Sequence, residues 1–250
     1  MVLNTMFLII ILVIFLILYN AFKYNNIENF TDKPKILFLM RNYNRPEYLG
    51  PTLKSLDNSD VEMCPTRIIY DDASTNPETK KILDSYDSKY QILRNSKNYK
   101  QKSMVRLLEY VEKSDLDYQY VCYLDNDALV KPNFIEKCME TYQFILKEQN
   151  LDVSKVILTG FNTKKNGHDV LKDYGRYKLK KHIGGIHMFF HKSLLPDIKK
   201  WWDIDLDWGV VDNFKKSGGN FYCTSPSVVQ HIGATGDHTT GGCHDVAKDF

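Results

Sequence analysis

The sequence predicts an α/β fold in which a mostly parallel central sheet is covered by helices on both faces. Short apolar runs of strand length alternate with segments whose apolar residues have helical spacing, a rhythm typical of parallel sheets. Polar loops separate the two kinds of segment. The 250 residues, of which 43% are hydrophobic, are enough for one domain with a full core.

The first half of the chain repeats a strand–loop–helix unit. The predicted strands span residues 35–40, 67–70, 90–95 and 118–124. Asn44 and Pro46 predict the N-cap and the first turn of a helix after the first strand. Thr75 or Asn76 is the predicted cap of the next helix, and residues 101–114 have the apolar spacing of a third.

After residue 127 the rhythm changes. Further strands are predicted at 155–160, at 186–191 and, as one or two strands, within 220–233. Further helices are predicted to start at Pro132 and to span 193–202 and 209–218. The polar, glycine-punctuated stretch 161–185 predicts a surface excursion with a small hairpin, and the Gly/Thr-rich residues 236–250 predict a flexible C-terminal tail.

The N-terminus predicts a membrane anchor. Residues 6–22 carry no charge, and with Val2 and Leu3 they approach the roughly 20 apolar residues that cross a bilayer. A cleaved signal peptide is the alternative, but no basic segment precedes the run and no small-x-small cleavage site follows it. We therefore expect an anchor at 1–23, a stem at 24–34 and a folded domain at 35–235. The protein would be a single-pass membrane protein, with a lumenal (ER/Golgi-like) domain if the anchor is type II.

Charge and cysteine usage exclude two classes of function. The formal net charge is only +2 and is spread along the chain, so no nucleic-acid partner is expected. The five cysteines include no CxxC pair, which argues against a zinc site.

Three polar clusters follow predicted strands, at residues 41–45, 71–75 and 125–128. Ligands of open parallel sheets bind outside the carboxyl ends of the strands, where these clusters would meet. Asp125 and Asp127 can converge on one hard cation if the chain turns at Asn126. Taken alone, the motif more often caps a turn or a helix.

Six segments in this order resemble a nucleotide-sugar-dependent glycosyltransferase of the GT-A (Rossmann-like) fold. They are RNYNRPEYL, IIYDDAST, YLDNDALVKPNF, GGIHMFFH, DLDWGVVDN and SPSVVQHIG. The first three are shared with the large family-two type, and the last two look most like inverting N-acetylglucosaminyltransferases. The resemblance covers residues 35 to about 233, and it implies a UDP-sugar donor and a glycan or glycoprotein acceptor.

The resemblance also implies roles for individual residues. The implied nucleotide-sugar contacts are Arg41, Asn42, Arg45, Asp71, Asp72, Asp125, Asn126 and Asp127. Asp125, Asp127 and His231 would hold Mn²⁺ or Mg²⁺. Asp207 is the implied catalytic base, with Asp212 as the second choice. Ala73 stands where the family usually has glycine, which implies a less tight loop.

The chemistry of displacement explains these residue types. A divalent metal neutralises the charge that develops on the leaving diphosphate, and a basic side chain such as Arg106 adds to this effect. An acceptor hydroxyl needs a positioned carboxylate to take its proton. One aspartate opposite the leaving group gives single displacement with inversion.

Two other functions stay open at this point. A nucleotidyltransferase is disfavoured because residues 41–45 contain no glycine. A non-catalytic carbohydrate-binding or scaffold protein on the same fold would lack a carboxylate that faces the anomeric carbon, so the position of Asp207 distinguishes it from an enzyme.

Overall fold

The computed structural model describes residues 34–234 and 245–250. The compact unit spans Lys35–Phe250. The predicted anchor at 1–23 lies outside the described residues, as does the stem up to residue 33, and both stay predictions. Within the described ranges, no helix is long and apolar enough to cross a membrane.

A nine-stranded mixed sheet forms the centre of the fold, with the strand order β3-β2-β1-β4-β9-β6-β10-β8-β7. Its strands are β1 (Ile36–Asn42), β2 (Thr66–Asp71), β3 (Gln91–Arg94), β4 (Tyr120–Asp125), β6 (Val156–Thr159), β7 (Val170–Asp173), β8 (Tyr177–Lys180), β9 (His187–His191) and β10 (Asn220–Thr224). β5 (Ala128–Val130) and β11 (Val229–His231) form a separate antiparallel pair. Strands β8 and β9 run against the others, so the sheet is mostly parallel, as predicted.

The helices lie where the apolar spacing predicts them. They are α1 (Pro46–Asp57), α2 (Pro77–Asp84), α3 (Ser103–Lys113), α4 (Phe134–Gln149) and α5 (Leu195–Lys216). Asn76 caps α2 by accepting hydrogen bonds from the backbone of Glu78 and Thr79. α5 joins the two helices predicted at 193–202 and 209–218, and its backbone is non-helical at Asp205 and Leu206.

Alternate side chains of β1 face two hydrophobic layers. Phe38 and Met40 pack in the layer that contains α1, α2 and α4. Leu37 and Leu39 pack in the layer that contains α3 and α5. Because β1 is buried on both faces, it needs the near-continuous apolar run that its sequence shows. This confirms helices on both sides of the sheet.

The predicted cap of α1 is wrong. Arg45, not Asn44, precedes the helix, and it has a left-handed backbone with no side-chain cap. The Asn44 side chain instead accepts hydrogen bonds from the backbone N–H groups of Thr75 and Asn76, each at 2.9 Å. It therefore ties the loop after β1 to the loop after β2. Pro46 occupies the first turn, as predicted.

The excursion and the C-terminus also have defined structures. β7 and β8 form the small hairpin predicted within 161–185. Of the expected flexible tail, residues 245–250 pack on the domain instead. Ala247 is buried and exchanges two backbone–side-chain hydrogen bonds with Gln230, at 2.8 and 3.0 Å. Asp249 accepts hydrogen bonds from Asn162 and Lys178, both at 3.1 Å. Residues 236–244 lie outside the described part.

Candidate active site

The parallel register brings the three polar clusters to one edge of the sheet. Asn42 at the end of β1 lies beside Asp71 at the end of β2. Its side-chain amide donates to Asp71 at 2.7 Å, and its carbonyl accepts from the Asn126 amide at 2.7 Å. Asn42 is 1% exposed, so it links the clusters from within. Its role is to hold the three loops together.

The two acids after β2 support the loops around them. Asp71 accepts hydrogen bonds from Asn42 and Ser74. Asp72 is buried and accepts from the backbone N–H groups of Tyr99 and Lys100 at 2.9 and 3.0 Å. Charge-assisted hydrogen bonds of this kind are the strong ones. Asp72 therefore orders the loop that precedes α3.

Ala73 does not loosen the loop after β2. Its backbone has a φ of 63°, the left-handed region that glycine usually occupies. Its N–H donates to the carbonyl of Asp71 at 2.9 Å. Contrary to the expectation of a less tight loop, the chain keeps a tight turn here, with alanine in a left-handed conformation.

Asp125 ends β4 and faces Arg41. The guanidinium lies 3.6 Å from the Asp125 carboxylate and 5.9 Å from the ring centre of Trp202. The buried hydroxyl of Tyr123 donates to the same carboxylate. Burial raises the pKa of Asp125; Arg41 opposes that rise, and the charge of Asp127 adds to it.

Asp127 has different partners. Its Oδ2 lies 2.9 Å from Arg45 and 3.4 Å from His231 Nε2. Although burial acts to raise it, the pKa of Asp127 lies below its ordinary value because His231 and Arg45 stabilise the carboxylate. The pKa of His231 is raised: burial lowers it, but the hydrogen bond and charge of Asp127 outweigh burial. Asp127 is thus held as a buried anion.

The residues around Asp127 fit a divalent cation. Asp127 Oδ1 is buried and has no hydrogen-bond partner among the described residues, an arrangement that costs free energy unless a ligand completes it. Carboxylate oxygen and imidazole nitrogen are suitable donors for Mn²⁺. A Cβ at Gly233 would lie only 2.6 Å from His231 Nε2, so the backbone closes one side of the site.

The three predicted metal ligands do not form one cluster. Within residues 34–234 and 245–250, no group of three or more His, Cys, Asp or Glu side chains is arranged to hold a metal. Asp127 and His231 are adjacent, whereas the Asp125 carboxylate faces Arg41 and Tyr123. Any cation here would take its remaining ligands from elsewhere, as Mg²⁺ does when it binds substrate phosphates.

Asp207 reaches the same edge because α5 is interrupted. Leu206, just before it, has a φ of 51° and a ψ of −138°, a strained conformation for a side chain other than glycine. The Asp207 carboxylate accepts the backbone N–H of Gly185 at 3.0 Å. The pKa of Arg41 is raised: burial lowers it, but the charges of Tyr123, Asp125, Asp72 and Asp207 outweigh burial. Asp207 therefore lies on the Arg41 side of the site.

Two predicted residues lie apart from these contacts. Asp212 is exposed, and five residues of helix turn its side chain by about 140° from that of Asp207. Arg106 is also exposed; it forms an ion pair with Glu109 at 2.9 Å and lies 5.1 Å from the ring centre of Tyr99. The geometry favours Asp207 over Asp212 as a base and places Arg106 beside the loop that Asp72 orders.

Histidines near β9 have two different roles. His187 is fully buried, and its Nδ1 accepts the N–H of Gly160 at 2.8 Å, so it is structural, as isolated strand histidines usually are. From its sequence context alone, His182, an isolated histidine just before a strand, would be structural too. The structure instead stacks His182 edge-on against His168 and Trp208, with ring centres 4.8 and 5.1 Å apart. His168 and His182 come close to Asp207 and Trp208 only in the folded structure, and no spacing in the sequence indicates this.

The chain resembles known proteins both in sequence and in fold. Residues 38–194 match the family model described as "Glycosyl transferase family 2". No curated protein matches the sequence. The fold is similar to that in "Crystal structure of GalNAc-T7 with UDP, GalNAc and Mn2+", with a TM-score of 0.60 and 13% identity over 79% of this chain. This chain spans 43% of the length of that one, and at this identity the likeness shows the fold alone.

Proposed function

Because the chain belongs to glycosyl transferase family 2, we propose that it transfers a sugar from a UDP-sugar to an acceptor hydroxyl, with Mn²⁺ or Mg²⁺ and with inversion. One observation carries the proposal. The sheet edge holds two separate carboxylate centres, an anionic Asp127 with a spare oxygen and an Asp207 held by a backbone amide.

The first centre suits the donor. Asp127 and His231 would hold the cation, which when bound neutralises diphosphate charge. Arg45, 2.9 Å from Asp127, is placed to exchange its carboxylate partner for a phosphate oxygen, which guanidinium also binds well. Asn42 and Asp71 hold the loops that would flank the nucleoside. The roles of Asp127 and His231 are those implied by the resemblance to GT-A enzymes, whereas Asp125, which faces Arg41, is not among the proposed metal ligands.

The second centre suits the acceptor. Asp207 is half-buried, and only one of its roughly four lone-pair sites is needed for the Gly185 N–H. In the proposed step the acceptor O–H gives its proton to Asp207 as its oxygen bonds to the anomeric carbon. The bond from that carbon to the phosphate oxygen breaks, and UDP leaves with the electron pair.

The other functions have less support. Membership of a glycosyltransferase family does not favour a nucleotidyltransferase. A non-catalytic scaffold would have no use for the strained turn at Leu206, which places the Asp207 carboxylate on the amide of Gly185. Strain of this kind clusters at functional sites.

The test is turnover and binding by the full-length chain. We expect hydrolysis or transfer of at least one UDP-sugar with Mn²⁺, and loss of this activity with EDTA. Asp127→Ala should weaken Mn²⁺-dependent UDP binding by about tenfold to 100-fold. Asp207→Ala should leave UDP binding intact but lower kcat by about 100-fold or more. The matched control is Asp197→Ala, an exposed aspartate in α5.

Two results would contradict the proposed function or its assignment of the base. Turnover of no UDP-sugar, together with no UDP binding, would remove the function altogether. If Asp212→Ala abolished transfer and Asp207→Ala did not, the base would be misassigned.

A further inference from the structure

An aromatic wall lies beside Asp207, formed by His168, His182 and Trp208. The two histidines are buried, 7% and 8% exposed, whereas Trp208 is 46% exposed. The other two tryptophans, Trp201 and Trp202, are buried in the core. Trp208 is therefore the one tryptophan of this chain with a large solvent-facing surface.

Two glycines connect this wall to Asp207. The N–H of Gly185 donates to the Asp207 carboxylate at 3.0 Å. A Cβ at Gly184 would lie 3.1 Å from the ring of His168 and 4.0 Å from Asp207 Oδ2. The imidazole and the carboxylate therefore border the same small space, which any side chain at position 184 would fill.

One buried nitrogen atom of the wall lacks a hydrogen-bond partner among the described residues. This atom is His182 Nδ1. Leaving such an atom unpaired is energetically unfavourable, because burial has removed its hydrogen bonds to water. A ligand hydroxyl would satisfy it, and the indole of Trp208, which packs on the same imidazole, offers a flat apolar face beside it.

We propose that Trp208 and His182 bind a sugar ring of the acceptor, so that the acceptor is a saccharide rather than a serine or threonine of a polypeptide. The C–H face of a pyranose would cover the indole, and one of its hydroxyls would bond to His182 Nδ1. A neighbouring hydroxyl would then lie toward Asp207. This inference rests on the proposed function, in which Asp207 takes the acceptor proton.

The charge state of the wall agrees with a neutral ligand. Burial and the neighbouring imidazole lower the pKa of His168 to about 4. Burial, then the charges of Lys215 and Lys181, lower the pKa of His182, with Asp169 opposing. At neutral pH each ring thus keeps one donor and one acceptor nitrogen, which suits hydroxyl groups better than anions.

Fluorescence of the full-length chain tests binding directly. Acrylamide quenching would be measured with UDP and Mn²⁺ present, on adding methyl glycosides of glucose, galactose, mannose and N-acetylglucosamine. We expect at least one glycoside to lower the quenching constant about twofold, because stacking covers the single exposed indole. Trp208→Phe should abolish the change. A threonine-containing peptide should give none.

Kinetics with the same glycosides as acceptors test the roles of the side chains. Trp208→Ala should raise the acceptor KM about fivefold to tenfold because it removes the stacking face. His182→Ala should raise it about three- to tenfold through one lost hydrogen bond. His182→Asn should restore part of the affinity. The control is His191→Ala, at the C-terminal end of β9, which should leave the acceptor KM unchanged.

The outcomes separate this inference from the proposed function. UDP-sugar hydrolysis should stay within about twofold of the wild-type rate in each wall variant, because the donor contacts are untouched. If no glycoside protects Trp208, or if only the peptide does, the inference is overturned while hydrolysis still supports the function. If UDP-sugars are neither bound nor hydrolysed, the function fails and the fluorescence result alone decides whether sugars bind the wall.

Discussion

Gly233 gives the sharpest test of the donor centre. The residue follows β11, and its backbone runs close to both Asp127 and His231. A Cβ placed on it would lie 2.6 Å from His231 Nε2 and 3.0 Å from Asp127 Cγ. Asp127 Oδ2 would lie closer still. Because ordinary contacts begin near 3.4 Å, Gly233→Ala forces the imidazole away by roughly 0.8 Å and the carboxylate by at least as much.

Shifts of this size decide metal affinity. Ligand atoms must lie within about 0.2 Å of their preferred distances, and changes in the groups that orient ligands typically cost tenfold to 100-fold in affinity. We therefore expect Gly233→Ala to weaken Mn²⁺-dependent UDP binding by about 1.4–2.8 kcal/mol. The fold should persist, because no core side chain changes.

Isothermal titration of UDP, with Mn²⁺ and with EDTA, measures the effect. Gly50→Ala is the matched control, since a Cβ there would make only an ordinary contact with Ile82 at 3.7 Å. In the interior of α1 that change should stabilise the fold by about 0.5–1 kcal/mol and leave UDP binding alone. If Gly233→Ala is folded and binds UDP with Mn²⁺ as tightly as the wild type, Asp127 and His231 do not form the donor centre.

Three further predictions concern stability. Burial lowers the pKa of His187 to about 3, so its contribution to stability is present above the unfolded pKa of 6.5 and is lost as the pH falls below that value. The free energy of unfolding in urea should fall by about 2 kcal/mol between roughly pH 7 and 5, and this fall should be absent in His187→Asn. An unchanged pH dependence in the variant would refute the burial of neutral His187 as its cause. Asp72→Asn removes a buried charge that accepts backbone N–H groups, so we expect the free energy of unfolding to fall by about 1.5–3 kcal/mol. Hydrogen exchange at Tyr99 should become faster, and unchanged exchange would contradict the loop-ordering role of Asp72. Asp249→Ala should release the C-terminal residues and speed their proteolysis by carboxypeptidase, while an unaltered cleavage rate would show that Asp249 does not hold them.

The sequence was sufficient for the fold because the fold follows from local patterns. Apolar runs buried on both faces identify β1, β2 and β4, and the cap at Asn76 marks the start of α2. The order of the polar clusters then placed them on one sheet edge, since parallel strands end together. Membership of glycosyl transferase family 2 confirms the resemblance to glycosyltransferases.

Features that depend on contacts distant in sequence could not be predicted in this way. Asn44 looks like a helix cap, but its partners lie about 30 residues away in the loop after β2. The sequence predicts two helices at 193–202 and 209–218, but not the left-handed backbone at Leu206 that places Asp207 against Gly185. His182 acquires its importance only because the excursion folds back onto Trp208. In each case tertiary packing overrides the local signal.

The turn between Asp125 and Asp127 gives different environments to two acids that the sequence treats alike. The Asn126 side-chain amide donates to the Asn42 side chain at the end of β1, and the Asn126 backbone carbonyl accepts from the Thr52 hydroxyl in α1, so the turn is held on both sides. Asp125 then faces Arg41, and burial raises its pKa. Asp127 stays ionised and keeps an unpaired oxygen. Asp127 would therefore supply the oxygen to a bound cation, and a single methyl group at Gly233 tests that proposed role.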